Sequence, residues 1–114
     1  MQITEKQQCS HYTLCIGLSD KDSKVQEFDT ERFMAVVTNV CTGYRVGYSY
    51  TMSYGGYIHE DGTYVNENSI LLSLVGLPEN LIDRIATDLC KYFNQESVLV
   101  IRDDGTVYSV LQNG

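Results

Sequence analysis

Apolar side chains first fall into register at Tyr12, Leu14, Ile16 and Leu18, which alternate with smaller residues and predict a half-buried strand. The residues before it, 1 to 9 (MQITEKQQC), are polar and aperiodic. They predict a flexible arm, frayed or docked on a partner, leaving 10–114 as one domain. The charged stretch SDKDSKVQE predicts a surface loop that includes a short edge strand at Lys24 to Phe28. Asp29 or Thr30 then caps a helix whose apolar positions Phe33, Val36, Val37, Val40 and Cys41 recur at helical spacing. Gly43 is placed to end that helix in the left-handed conformation.

Tyr44, Val46, Tyr48, Tyr50, Met52 and Tyr54 occupy every even position of the next segment, which predicts a long strand with one aromatic face. Gly55 and Gly56 then predict a break or bend. Asp61-Gly62 is a hairpin turn signal between Tyr57 to Glu60 and Thr63 to Asn66. The run Ile70 to Val75 predicts a central strand covered on at least part of both faces. Pro78 opens a second helix, with Leu81, Ile82, Ile85, Leu89 and Phe93 as its apolar stripe and an end near Asn94. Ser97 to Ile101 is a compact strand, and Asp104-Gly105 turns it toward a last one at Thr106 to Leu111. The order β-α-β-β-α-β predicts an α+β protein of the split βαβ, or ferredoxin-like, arrangement, in which two helices cover one face of an antiparallel sheet, with hairpin decorations.

With 114 residues, 43% of them hydrophobic and 20% charged, the chain suits one folded core. The formal net charge of −7 repels polyanions and argues against a nucleic-acid polymer or an anionic membrane as partner. No apolar run approaches the roughly 20 residues of a membrane span, and none follows Met1 as a signal peptide would. Cys9, Cys15, Cys41 and Cys90 form no CxxC pair, which points to free thiols in a reducing compartment, with Cys15 and Cys41 as small core side chains. A zinc site built from Cys9 and His11 lacks near partners, so neither metal nor cofactor is expected.

The chain contains no phosphate-binding glycine loop, nucleophile elbow or HExxH helix. His11 and His59 lie in separate segments and read as surface or strand-edge residues, so no catalytic residue is expected and the chain reads as a binding protein. Nine tyrosines without a tryptophan are the distinctive feature, five of them between Tyr44 and Tyr57. That stripe suits an interface between copies of the chain, and it equally suits stacking against a nucleotide base. From the strand reading, Arg45 and Tyr54 are candidate ligand contacts. In the segment KYFNQES, a helix stop and an aromatic-amide grip on a polar heterocycle are both consistent with the residues.

The pieces HYTLCIGLSDKD, GGYIHEDGTYVNENSILLSL and KYFNQESVLV together resemble the Thoeris anti-defence family of phage signal-sequestering proteins, often called sponges. The resemblance covers residues 11 to 102. It implies a phage protein in the host bacterial cytoplasm that binds a cyclic ADP-ribose-type signal, with cyclic oligonucleotides as further ligands, and does not degrade it. It also implies a homo-oligomer, from a dimer up to an assembly such as a hexamer. Carried over, Phe93 and Asn94 would grip the ligand and Arg102 would face phosphate. Only Arg32, Arg45, Arg84 and Arg102 are arginines, which leaves little for a second, phosphate-heavy site. Two other classes fit the residues less directly: an inhibitor presenting an acidic surface to a protein, or a structural homo-oligomeric phage protein. A small enzyme that cleaves the signal ranks behind these for want of a base and nucleophile pair.

Overall fold

The computed structural model describes residues 1–112. Residues 1 to 10 carry no regular secondary structure, and the first nine are exposed. The elements follow as β1 (His11–Gly17), α1 (Thr30–Gly43), β2 (Ser49–Ile58), β3 (Tyr64–Val75), α2 (Glu79–Tyr92), β4 (Ser97–Arg102) and β5 (Val107–Leu111). The five strands form one sheet in the order β2-β3-β1-β4-β5, with every pairing antiparallel. The first four strands and two helices are the expected split βαβ arrangement, and β5 extends it beyond β4.

Strand parity decides what each face does. Leu14 and Ile16 of β1, Ile70, Leu72 and Leu74 of β3, and Val98 and Val100 of β4 are fully buried. They meet Phe33, Val37 and Cys41 of α1 and Ile82, Ile85 and Leu89 of α2 in one core. Burying such aliphatic side chains is worth roughly 1.5–3 kcal/mol each relative to exposure. Odd-numbered residues of the same strands point to the opposite face, which neither α1 nor α2 covers.

Both helices start and stop for readable reasons. Asp29 Oδ1 accepts from the Arg32 amide at 2.9 Å, capping α1. At its other end the Arg45 amide donates to Thr42 O and the Val46 amide to Cys41 O, a Schellman motif whose left-handed residue is Arg45 at φ 59°. The expected left-handed stop at Gly43 is therefore displaced by two residues. Helix α2 ends the same way: Asn94 donates to Lys91 O and Gln95 to Cys90 O, with Asn94 at φ 48°.

Three local expectations are corrected. Lys24 to Phe28 is not a strand, because Asp20 folds the loop on itself by accepting from the amides of Asp22 and Ser23. Gly55 and Gly56 do not break β2, which pairs continuously with β3 from Ser49↔Ser73 to Ile58↔Tyr64. The aromatic strand starts at Ser49, five residues later than Tyr44, since Tyr44 to Val46 complete the helix cap. Among the described residues, no helix is long and apolar enough to cross a membrane.

Candidate functional site

The helix-free face of the sheet carries a hollow of about 360 Å³, lined by Cys15 and Gly17 of β1, Ser53, Gly55 and Tyr57 of β2, Glu67 and Ser69 of β3, Gln95 and Glu96 before β4, and Ser97 and Leu99 in it. Glu67 sits at its floor with 7% of its surface exposed. Position 17 makes this placement feasible. A Cβ there would lie 1.5 Å from Glu67 Oε1 and 2.9 Å from Gln95 Oε1, so only glycine lets the carboxylate lie across β1. Gln95, 4% exposed, is anchored by donating from Nε2 to Ser19 O at 2.7 Å.

Glu67 Oε2 is buried and has no hydrogen-bond partner among the described residues. Burial pushes the carboxyl above the ordinary carboxylate range, while the Tyr57 and Ser19 hydroxyls and the nearby His59 pull the other way. Tyr57 is pushed up to about 12, first by burial and then by the negative charge of Glu67. Tyr57 also touches His59: the ring centroids are 4.9 Å apart in an edge-on arrangement, and the hydroxyl lies 3.4 Å from His59 Nε2. His59 Nδ1 in turn lies 3.2 Å from Glu96 Oε2. Since β3 and β1 stand between β2 and β4 in the sheet, this contact closes the hairpin tip over the open face. A bare carboxylate oxygen, flanked by a phenol, is what a compact cation complements. Beyond Glu96 a second hollow of about 410 Å³ holds charges of both signs, Lys21, Lys24, Asp22, Glu60 and Asp61. Lys21 is already paired with Asp22 there.

None of the five residues expected to bind ligand lines this hollow, and the structure does not bring them together. Phe93 is 3% exposed, with its ring 4.7 Å from that of Phe33 in the core. Asn94 and Arg45 supply the left-handed positions of the two helix ends. The amide of Asn94 is taken up by Asp20 and Asp22 at 2.9 and 3.0 Å and by Gln112 at 3.1 Å. Arg102 donates to both oxygens of Asp104, to Glu79 and to Thr106, and those bonds hold Asp104 well below the usual carboxylate range. Tyr54 stands 71% exposed on the outer strand. The tyrosine stripe divides: Tyr44, Tyr48 and Tyr50 pack against the core from the helix side, whereas Tyr57 is on the open face. His59 is 8% exposed and lies beneath the hairpin tip. Cys15, expected in the core, is half-buried on the open face. Among the described residues, no group of three or more His, Cys, Asp or Glu could hold a metal ion.

Glu67, Gly17, His59 and Gln95 escape a reading of local spacing. The available signal for Glu67 is parity: it shares its face with Ser69 and stands opposite Gly55 in the ladder, so an acid is placed where the partner strand offers no side chain.

No curated protein sequence matches the chain. Two solved chains match its fold. A phage SAM lyase in complex with S-methyl-5'-thioadenosine is 20% identical, covers 96% of each chain and gives a TM-score of 0.78. A phage SAM lyase in its apo state is 21% identical over 96% of each chain with a TM-score of 0.69. At that identity the likeness is one of fold. It corrects the resemblance to Thoeris sponges and what that resemblance implied, a Thoeris inhibitor holding cyclic ADP-ribose without catalysis: the matched proteins are SAM lyases. A sequence profile described as "Protein of unknown function (DUF3574)" matches residues 11–108, and the chain belongs to that family.

Proposed function

We propose that the chain is a lyase for S-adenosylmethionine, releasing S-methyl-5'-thioadenosine from the open-face hollow around Glu67. The observation that carries this reading is the buried, unpartnered Oε2 of Glu67 in a hollow whose volume lies in the range of small-molecule sites, roughly 300–1,000 Å³. The fold shared with a lyase that binds the thioether product gives the ligand class. S-Adenosylmethionine is cationic at its sulfonium and at its ammonium, and either charge complements the bare carboxylate. Binding it would draw Glu67 into its ionised form against the burial that now opposes it.

The reaction breaks the bond between sulfur and the amino-acid arm. Its electron pair goes to sulfur, so the sulfonium becomes a neutral thioether and needs no proton to leave. A lyase adds no water, so the arm's own carboxylate attacks the carbon that leaves sulfur: a C–O bond forms as the C–S bond breaks, a lactone closes, and no proton has to be placed. Glu67 and Tyr57 hold the cationic arm, and the serine-lined floor at Ser53 and Ser69 offers hydroxyls to the nucleoside. Homo-oligomerisation belongs to the same reading, supported by the exposed Tyr54, Ile58 and Tyr64 at 71%, 66% and 65%, and native mass spectrometry tests it.

The test is incubation of purified protein with S-adenosylmethionine, followed by chromatography and mass detection of S-methyl-5'-thioadenosine. Native protein forms the thioether, and E67Q forms it at least tenfold more slowly while keeping its fold. No thioether above the uncatalysed rate, in protein shown to be folded, refutes the proposal.

A further inference from the structure

The hydroxyl of Tyr57 has one proton to give, and His59 Nε2 at 3.4 Å is placed to take it. The Glu67 carboxylate shares the hollow with that hydroxyl, and its charge helps to raise the phenol. Which nitrogen of His59 carries the proton therefore matters. A carboxylate only accepts, so Glu96 Oε2 at 3.2 Å selects the tautomer with hydrogen on Nδ1 and leaves Nε2 as a lone pair. The charged groups near this imidazole come from three elements: Glu96 before β4, Glu67 on β3 and Asp61 in the hairpin turn. The backbone around His59 is pinned, its amide donating to Thr63 O and its carbonyl accepting from Gly62, both at 2.9 Å. The ring thus has a fixed position from which to meet Tyr57.

We infer that His59, held as the Nδ1–H tautomer by Glu96, is a positioning residue for Tyr57, accepting the proton of its hydroxyl. With that proton directed to His59 Nε2, Tyr57 presents its oxygen lone pairs to a cation beside Glu67. The pair then offers acceptors only, which selects for the charged amino-acid arm over a ligand that lacks it. This inference rests on the lyase reading for its ligand, but its proton arrangement stands on the geometry of His59, Tyr57 and Glu96.

Two measurements decide it. The protein has two histidines, so a long-range ¹H–¹⁵N spectrum with H59Q as the assignment control reads the tautomer directly. His59 appears as Nδ1–H in native protein and loses that preference in E96Q. Calorimetry then compares S-adenosylmethionine with S-methyl-5'-thioadenosine. H59L weakens the first at least fivefold and the second less than twofold. H59Q, whose amide oxygen can accept, restores most of the difference. In a Y57F background H59L has no further effect, as coupling through the hydroxyl requires. An Nε2–H or doubly protonated His59, equal weakening of both ligands, or an undiminished loss in Y57F overturns the inference. If native protein binds neither ligand, the lyase reading fails by itself, and the tautomer spectra still decide the arrangement of His59.

Discussion

Adding one methyl group at Gly17 moves the Glu67 carboxylate without altering its chemistry, which separates position from charge. The Cβ of G17A would sit 1.5 Å from Oε1, so the carboxylate must recede by about 2 Å to reach ordinary van der Waals contact. For a ligand cation paired at about 3 Å, retreat to about 5 Å lowers the Coulomb attraction from about 5.5 to about 3.3 kcal/mol at an effective dielectric of about 20. The difference, about 2 kcal/mol, corresponds to about 40-fold weaker binding of S-adenosylmethionine. Stability should change less. Overpacking costs roughly 1–3 kcal/mol, but moving a buried carboxylate toward water relieves part of that, and the melting temperature is expected to fall by no more than about 5 °C. Calorimetry for affinity, with circular dichroism to confirm the fold, makes the measurement. A G17A protein that is folded and binds within threefold of native would show that the carboxylate's place across β1 is irrelevant to binding.

Three further outcomes follow from the same geometry. Burial raises Glu67 above its ordinary carboxylate value, so the folded state holds that proton more tightly than the unfolded state. The associated stability is fully present below the unfolded value of about 4.3 and is lost as pH rises through the folded one. E67Q should therefore melt higher than native at pH 7.5 and show no such gain at pH 4, and an equal difference at both values contradicts the assignment. F93A should lose roughly 3–5 kcal/mol in urea unfolding, as expected for a ring packed on Phe33, and a loss under 1 kcal/mol would argue against its place in the core. D29A should cost about 1 kcal/mol through the lost cap on α1, read by the same urea titration at unchanged slope.

The fold was legible because its signals are periodic. Tyr12 to Leu18 and Ile70 to Val75 alternate with period two, the stripes of both helices recur at helical spacing, and Asp61-Gly62 and Asp104-Gly105 mark turns whose glycines sit at φ 86° and 91°. The site was not legible, because it is assembled from β1, β2, β3 and the turn before β4, with no local pattern joining Gly17, Tyr57, Glu67 and Gln95. Asn94 and Arg45 carry two readings for a definite reason. Each has a polar side chain at a chain reversal, the profile of a binding residue, but each also occupies the left-handed position that ends a helix. Phe93 follows the last turn of α2, and an aromatic beside amides reads the same whether it faces a ligand or closes a core.

Strand parity has a consequence for how this chain can vary. Even positions of β1 and β3 carry the core and odd positions carry the hollow, so the two sets of constraints interleave along the same residues yet do not compete for them. Substitution at Cys15, Ser53 or Ser69 can reshape what the open face accepts while the hydrophobic layer beneath the helices stays intact. One frame can thereby host neighbouring chemistries, provided that position 17 remains without a side chain wherever an acid must reach across it.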